Sequence, residues 1–200
     1  MNFLPPLSQA THPDYTYHSR DWKKIRDVMA GERVVKDAGL TYLPALGSDM
    51  GTTYAAFKER AVFVNMTART ALGMIGTIFR RKVKVAGVDL IHTENVTIGG
   101  LSLNAFAKRL ALELVVVGRA GILVDMSADG RAYMTEYVAE NILDWNTTLI
   151  NGRRELSYVL LREIVDNPRS VLDPTVSARP TVGLGVSQQP FRARYRVCIS

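Results

Sequence analysis

The apolar residues of this 200-residue chain change their spacing near Gly118, and that change limits the folds open to it. Before Gly118 they recur at three- and four-residue intervals, as on helices, whereas after it they form short runs separated by turn residues. Helices first and hairpins second favour an α+β fold over a doubly wound parallel sheet. The prediction is an N-terminal helical layer followed by antiparallel β-hairpins.

The chain is predicted to fall into three regions. Residues 1–19 are expected to form an extended arm, because three prolines interrupt a stretch with few apolar anchors. Residues 20–118 are the predicted helical region, and residues 119–200 the β-rich region. Because the last predicted strand runs to the end of the sequence, the chain is expected to be the N-terminal part of something longer.

Local signals set the expected ends of two helices. Thr52 or Thr53 is predicted to cap one helix and Ser102 another, because a side-chain oxygen at the N-cap accepts a hydrogen bond from an unpaired backbone amide. Gly118 is the predicted left-handed residue at the end of the second helix.

A further helix is predicted from about Val64 to Phe79, with Leu72 on its apolar stripe. Gly73 and Gly76 lie inside this helix, and each costs about 1 kcal/mol relative to alanine. That cost indicates a role for the glycines, and the predicted role is a close approach between two helices.

Two turns define the predicted hairpins. Asp129-Gly130 and Asn151-Gly152 both suit the positive φ angles of tight hairpin turns. The strands expected around them, with one more near the end, are Ile122–Asp125, Ala132–Val138, Thr147–Ile150, Leu156–Ile164 and Arg192–Ser200. A long loop rich in proline, glycine and serine is expected over Pro168–Pro190.

Charge and cysteine content exclude some classes of protein. The sequence has 25 Lys and Arg against 19 Asp and Glu, a net charge of +6, which favours polyanionic partners such as nucleic acid. Its single cysteine rules out an intramolecular disulfide and any multi-cysteine metal site, and reducing, intracellular conditions fit it best. The most apolar run, Leu110–Val117, is far shorter than the roughly 20 residues of a membrane span, so no membrane association is expected.

One segment matches the pattern of a calcium loop. Asp125, Ser127, Asp129 and Glu136 would supply oxygen ligands, and Gly130 would allow the sharp bend. Such a loop lies between helices, however, and the flanking residues here alternate as strands do. The favoured interpretation is an Asp-Gly hairpin turn, with a calcium site as the alternative.

A basic cluster follows the predicted helix that ends near Phe79. Arg80, Arg81, Lys82 and Lys84 could each neutralise a DNA phosphate and release a counterion. The alternative is a solvated helix end, because cations suit the negative end of the helix dipole.

Motifs of the common enzyme classes are missing from the sequence. The three histidines have no partner at metal-ligand spacing, the Gly47–Thr53 segment lacks the lysine of a phosphate loop, and no nucleophile elbow occurs. The prediction is a protein with no catalytic residues, no metal and no cofactor.

Several stretches, taken in their order along the chain, resemble the portal-like proteins of tailed bacteriophages. The resemblance is spread over nearly the whole chain rather than carried by one motif. In the first half it rests on His12–Tyr15, Trp22–Gly31, Val35–Gly39, Tyr42–Pro44, Tyr54–Ala61, Asn65 with Thr67–Thr70, and Gly76 with Phe79–Arg81. In the second half it rests on Val117–Asp125, Tyr137 with Asn141–Ile142 and Trp145, Asn151–Arg153, and Tyr195–Val197.

The resemblance implies a structural subunit of a portal ring, commonly a dodecamer, at one vertex of the phage head. Such a ring conducts double-stranded DNA during packaging and ejection, and it docks terminase, capsid and tail adaptor proteins. It also implies a virion protein that is assembled in the host cytoplasm, with this chain as the N-terminal, wing-like part.

Two other functions follow from the residues themselves. One is a stand-alone nucleic-acid-binding module that uses the Arg80–Lys84 cluster. The other is a hydrolase or nuclease in which Asp125, Asp129 and Glu136 hold a divalent ion.

Overall fold

The computed structural model describes residues 11–45, 47, 51–87, 91–127, 129–166 and 191–199. Their helices and antiparallel strands form the α+β fold that the sequence predicts. The helices are α1 (Pro13–Ala30), α2 (Glu32–Asp37), α3 (Thr52–Arg60), α4 (Met66–Ile78), α5 (Ile91–Glu94) and α6 (Leu103–Val117). The strands are β1 (Ala120–Met126), β2 (Ala132–Val138), β3 (Ile142–Ile150), β4 (Arg153–Asp166) and β5 (Phe191–Ile199). The loop predicted over Pro168–Pro190 lies outside the described residues.

The chain divides into two compact units, one of Thr16–Glu140 and one of Met1–Tyr15 with Asn141–Ser200. This division differs from the predicted boundary after residue 118, because β1 and β2 belong to the unit that holds the helices. The physical reason is that α6 packs against both α4 and β1. The first hairpin therefore completes the helical unit instead of joining the later strands.

The prediction of an extended arm over residues 1–19 is wrong for its last part, because α1 begins at Pro13. Proline suits the first position of a helix, where no intrahelical amide bond is lost, and Asp14 in the first turn suits the positive end of the dipole. His12 Nδ1 accepts the Asp14 amide at 3.1 Å, as an N-cap side chain does. Residues 1–10 lie outside the described part of the chain. No helix in the described part of the chain has the length and hydropathy of a membrane span.

Both predicted ends of α6 are confirmed. Ser102 Oγ accepts a hydrogen bond from the Ala105 amide at 3.3 Å, and Gly118 ends the helix with a φ of 81°. The cap predicted for α3 is wrong. Gly51 is its N-cap residue and makes no side-chain cap, so Thr52 is already the first helical residue.

The packing predicted for α4 is also wrong in part. Ala71 and Ile75 are buried, but Leu72 is exposed. A Cβ added at Gly73 or Gly76 would meet nothing within 4 Å among the described residues, so neither glycine marks a close helix–helix approach there. The difference arises because only Ala71 and Ile75 of α4 are buried, so the side that packs, which includes the contact with α6, is narrower than the predicted apolar stripe.

The first predicted hairpin is confirmed. β1 and β2 are antiparallel, with Met126 opposite Ala132 beside the turn and Ile122 opposite Glu136 further along. Gly130 has a φ of 79°, which a side chain would strain. The core of this unit includes Trp22, Val35, Ala71, Ile75, Val96, Phe106, Tyr137 and Ala139.

The other unit contains a three-stranded antiparallel sheet in the order β3-β4-β5. The predicted turn at Asn151-Gly152 is confirmed, with φ angles of 50° and 76°. The strand predicted near the end is confirmed as β5, which pairs with β4 from Asp166 opposite Phe191 onward. Among its described residues, the buried apolar side chains are those of Ile142, Leu143, Val159, Leu160 and Leu161.

The side of β3 that faces away from β4 is occupied by local hydrogen bonds. His12 donates its amide to the Leu143 carbonyl at 2.9 Å, and its ring stacks on Trp145 with centroids 3.9 Å apart. Asp144 Oδ1 accepts the Trp145 amide at 2.9 Å. In the same way, Asn146 Oδ1 accepts the Thr147 amide at 2.8 Å.

Candidate functional site

The basic cluster lies just beyond the end of α4. The cap residue Phe79 closes the helix by donating its amide to Ile75 and Thr77 carbonyls, so Arg80 and the residues after it are non-helical. The Arg80 amide donates to the Thr77 carbonyl at 3.4 Å, and further along the Val83 amide donates to Asn104 Oδ1 at 3.2 Å. The cations therefore project from an irregular segment that begins directly after the C-cap of α4, so the solvated helix end stays open as the alternative.

All four side chains of the cluster are exposed, and none forms an ion pair with a carboxylate of the described residues. They are Arg80, Arg81, Lys82 and Lys84. Unpaired, solvated cations on an irregular segment can contact phosphates with little loss of existing interactions. The geometry is thus compatible with the predicted DNA-proximal role, which stays a prediction.

The calcium-loop residues form a hairpin turn. Asp125 Oδ1 accepts the Met126 amide at 2.8 Å, and Ser127 Oγ hydrogen-bonds with Asp129 and with the Arg131 carbonyl. The hydroxyl of Ser127 lowers the pKa of the Asp129 carboxyl. These oxygens satisfy local donors, as in an Asx-type turn.

Glu136, the fourth candidate ligand, lies away from that turn. Glu136 pairs with Ile122 across the hairpin. It lies four residues along β2 from Ala132, the residue beside the turn, and four residues of a strand span about 13 Å. Among the residues described, no group of three or more His, Cys, Asp or Glu is placed to hold a metal. A hairpin separates the residues that a helix-flanked loop would bring together, so Asp125, Asp129 and Glu136 do not form the divalent-ion site that the calcium and hydrolase alternatives need.

A cluster of ion pairs that the sequence analysis does not predict lies inside the helical unit. Arg26 of α1 donates through Nη1 to Glu113 Oε2 at 2.8 Å and through Nη2 to the other carboxylate oxygen. The same guanidinium donates through Nε to Glu140 Oε1 at 2.8 Å and through Nη2 to Glu140 Oε2 at 2.9 Å. The planar guanidinium group of Arg26 thus joins α1 to α6 and to the segment after β2.

A second pair adjoins the first. Glu136, whose side chain is buried, lies at salt-bridge distance from Arg109 of α6, but its Oε2 accepts no well-formed hydrogen bond from the described residues. Burial raises the pKa of Glu136, and the charge of Glu113 raises it further, whereas Arg109 lowers it. The hydrogen bonds of Arg26 to Glu113 and Glu140 raise the pKa of the guanidinium, which stays charged.

This cluster joins α1 and α6 to β2 and the segment after it through ion pairs. It contains three carboxylates and two guanidiniums, and every carboxylate faces a guanidinium. A glutamate inside the apolar run Leu110–Val117 was its one visible signal, because a charge at that position needs a buried partner. The partner, Arg26, is too far away in sequence for any spacing rule to identify.

Neither a comparison with models of known protein families nor a search of curated proteins finds a match for this chain.

Proposed function

We propose that this chain is a structural subunit of a phage portal ring, without catalytic activity of its own. The observation that carries the proposal is the surface of α4. Met74 and Ile78 of this helix are 49% and 57% exposed, and Arg69 is the one charged residue between Met66 and Ile78. A helix that is apolar around most of its circumference is typical of a buried position. In a subunit of an assembly, the apolar side that the subunit leaves exposed becomes buried when the subunits associate.

The ordered resemblance to portal-like proteins supports the same proposal. So does the moderate, distributed positive charge of +6. A conduit for DNA must attract phosphates weakly, because tight contacts would stall translocation, and exposed charges more than about 10 Å apart are largely screened. In the proposed role the ring surrounds double-stranded DNA, docks terminase, capsid and tail adaptor proteins, and belongs to the virion after assembly in the host cytoplasm.

Electron microscopy of the purified chain tests the proposal. Closed rings with a central opening wide enough for duplex DNA are expected. Particles that stay single at every concentration, or that form only closed dimers, contradict it. Stoichiometry is then counted from the rotational symmetry of the averaged rings.

A second candidate function is a nucleic-acid-binding module, favoured by the four unpaired cations after α4. Replacing Arg80, Arg81, Lys82 and Lys84 by alanine is then expected to weaken binding of a short duplex and to reduce the slope of log K against log salt by up to about 4. The matched control replaces Arg153 and Arg154, two exposed cations at the turn between β3 and β4. Equal loss in both variants would indicate diffuse attraction and would contradict a dedicated module.

A further inference from the structure

The turn between β3 and β4 contains the one asparagine of the sequence that precedes a glycine. Asn151 and Gly152 have φ angles of 50° and 76°, and both residues are exposed. Among the described residues, no hydrogen bond holds the side-chain amide of Asn151, so this amide is free to turn toward the main chain. Because Gly152 has no Cβ, its main-chain nitrogen is open to close approach.

The end of this hairpin is a two-stranded ribbon. β5 pairs with β4 only from Tyr158 onward, so the last four pairs before the turn, which end with Ile150 opposite Arg153, have no third strand among the described residues. Both sides of the ribbon are exposed, with Leu149 at 70% and Ile150, which points the opposite way, at 43%. A two-stranded hairpin alone is only marginally stable in water. The turn can therefore open locally while the rest of the sheet stays paired.

Asn146, in the same strand, provides a direct comparison. It is also exposed, but its Oδ1 accepts the amide of the next residue, Thr147, at 2.8 Å, and Ser157 Oγ donates to its carbonyl at 3.2 Å. The Thr147 nitrogen is the atom that would have to attack the Asn146 side chain, and the β-branched side chain of Thr147 crowds it. The nitrogen that follows Asn151 has neither restraint.

We propose that Asn151 is a modification site, at which attack by the following main-chain nitrogen leads to hydrolysis of the side-chain amide. Solvent hydroxide removes the proton of the Gly152 amide, and this nitrogen forms a bond to Cγ of Asn151. The Cγ–Nδ2 bond breaks, and Nδ2 takes a proton from water and leaves as ammonia. Water then opens the five-membered imide at either carbonyl, which gives aspartate or isoaspartate. The overall change consumes one water and releases one ammonia, with no oxidant or reductant.

The two products differ in their effect on the turn. Aspartate leaves the main chain unchanged, and Asp-Gly suits the same positive φ angles as Asn-Gly. Isoaspartate carries the main chain through Cβ and Cγ, so it adds one atom to a turn whose length sets the register of the strands. Both products place a new carboxylate next to Arg153. Modification therefore lowers the positive charge at the end of the ribbon, and the isoaspartate form also loosens the turn.

Incubation of the full chain in neutral and in mildly alkaline buffer tests the site. Ammonia release, peptide sequencing by mass spectrometry and enzymatic methylation of isoaspartate measure the modification. Asn146 is the control within the same molecule. Asn151→Gly, which accommodates the positive φ angle of the turn, is the control for the source of the ammonia.

Asn151 should be modified at least about tenfold faster than Asn146, which corresponds to a barrier lower by about 1.4 kcal/mol. The rate should rise in proportion to hydroxide concentration, and Asn151→Gly should lose most of the ammonia release. Equal rates at the two asparagines would overturn the inference. So would modification of Asn151 that occurs only in urea, where the chain is unfolded.

Hydrogen exchange tests the effect on the turn. In the isoaspartate form, separated by ion exchange, the amides of Ile150 and Arg153 should exchange faster than in the unmodified protein. Asn151→Asp, which has the same added charge and an unaltered main chain, is the matched control and should exchange like the unmodified protein. Equal exchange in the isoaspartate form and in Asn151→Asp overturns the proposed loosening of the turn.

Discussion

Arg26 Nε lies 2.8 Å from Glu140 Oε1, and this contact joins two residues that are 114 positions apart in sequence. Because the same guanidinium also holds the buried Glu113, a single side chain fixes the start of the helical unit to its end. The pairing stabilises the folded state mainly by preventing two carboxylates from being left without partners.

Arg26→Met should therefore lower the free energy of unfolding by about 2 kcal/mol, because it strands the Glu113 charge in a mostly buried position. Urea unfolding measures the change. Arg20→Met, an exposed cation on the same helix, is the matched control and should have little effect. Adding Glu113→Gln to Arg26→Met should recover part of the lost stability. Equal effects of Arg26→Met and Arg20→Met would contradict a stabilising role for the Arg26 ion pairs.

Glu136→Gln should raise stability more at pH 7 than at pH 4. Burial raises the pKa of Glu136 above its ordinary value of 4.5, so the folded protein binds this proton more tightly than the unfolded chain does. The stability that comes from this tighter proton binding is therefore fully present below pH 4.5, and it is lost as pH rises through the higher pKa of the folded state. Urea unfolding of both proteins at the two pH values measures the difference.

The opposite sign is expected at Asp129, which serves as the control. Its pKa is lowered by the Ser127 hydroxyl, so its contribution is present at neutral pH and is lost as pH falls through the lowered folded pKa. Asp129→Asn should reduce stability at pH 7 and matter less in acid. The same pH trend in both variants would contradict the assignment.

Gly76→Ala should stabilise the subunit by up to about 1 kcal/mol, because alanine is the better helix former and the added Cβ meets no described atom within 4 Å. Gly118→Ala should do the reverse, by about 1 kcal/mol, because a φ of 81° strains any residue with a Cβ. Thermal melting at a dilution where the protein is monomeric compares the two. A loss at Gly76 under those conditions would reveal a close neighbour.

Millimolar calcium should leave the melting temperature unchanged. Glu136 faces Arg109 instead of the turn, and the oxygens of Asp125 and Asp129 already accept local hydrogen bonds, so no oxygen cage exists for the ion among these residues. A rise in melting temperature that grows with calcium concentration and disappears with chelator would contradict the hairpin interpretation.

The features that the sequence predicted best are those fixed by neighbours in the chain. Ser102 and Gly118 bound α6, and Asn151-Gly152 turns the second hairpin, because cap and turn conformations depend on a few adjacent residues. The class of fold followed from the same local signals. The start of α1 is not predicted, because the three prolines together indicate an extended segment. Pro13 is instead the first residue of the helix, a position that proline favours.

What could not be predicted depends on residues distant in sequence. Leu72 and Ile75 both fit an apolar stripe, and only the position of α6 decides which of them is buried. Glu113 is an unfavourable residue for a buried helix until Arg26 meets it. The basic cluster was visible in the sequence, but its lack of carboxylate partners among the described residues needed the fold.

The hydrogen bonds along the outer side of β3 have a consequence for assembly. A strand at the margin of a sheet normally offers unpaired main-chain groups as a template for strands of other molecules. Here the amides of Trp145 and Thr147 are occupied by the preceding Asp144 and Asn146 side chains, and the Leu143 carbonyl by His12. These main-chain groups are thereby unavailable to an added strand, which disfavours β-augmentation along this stretch of β3.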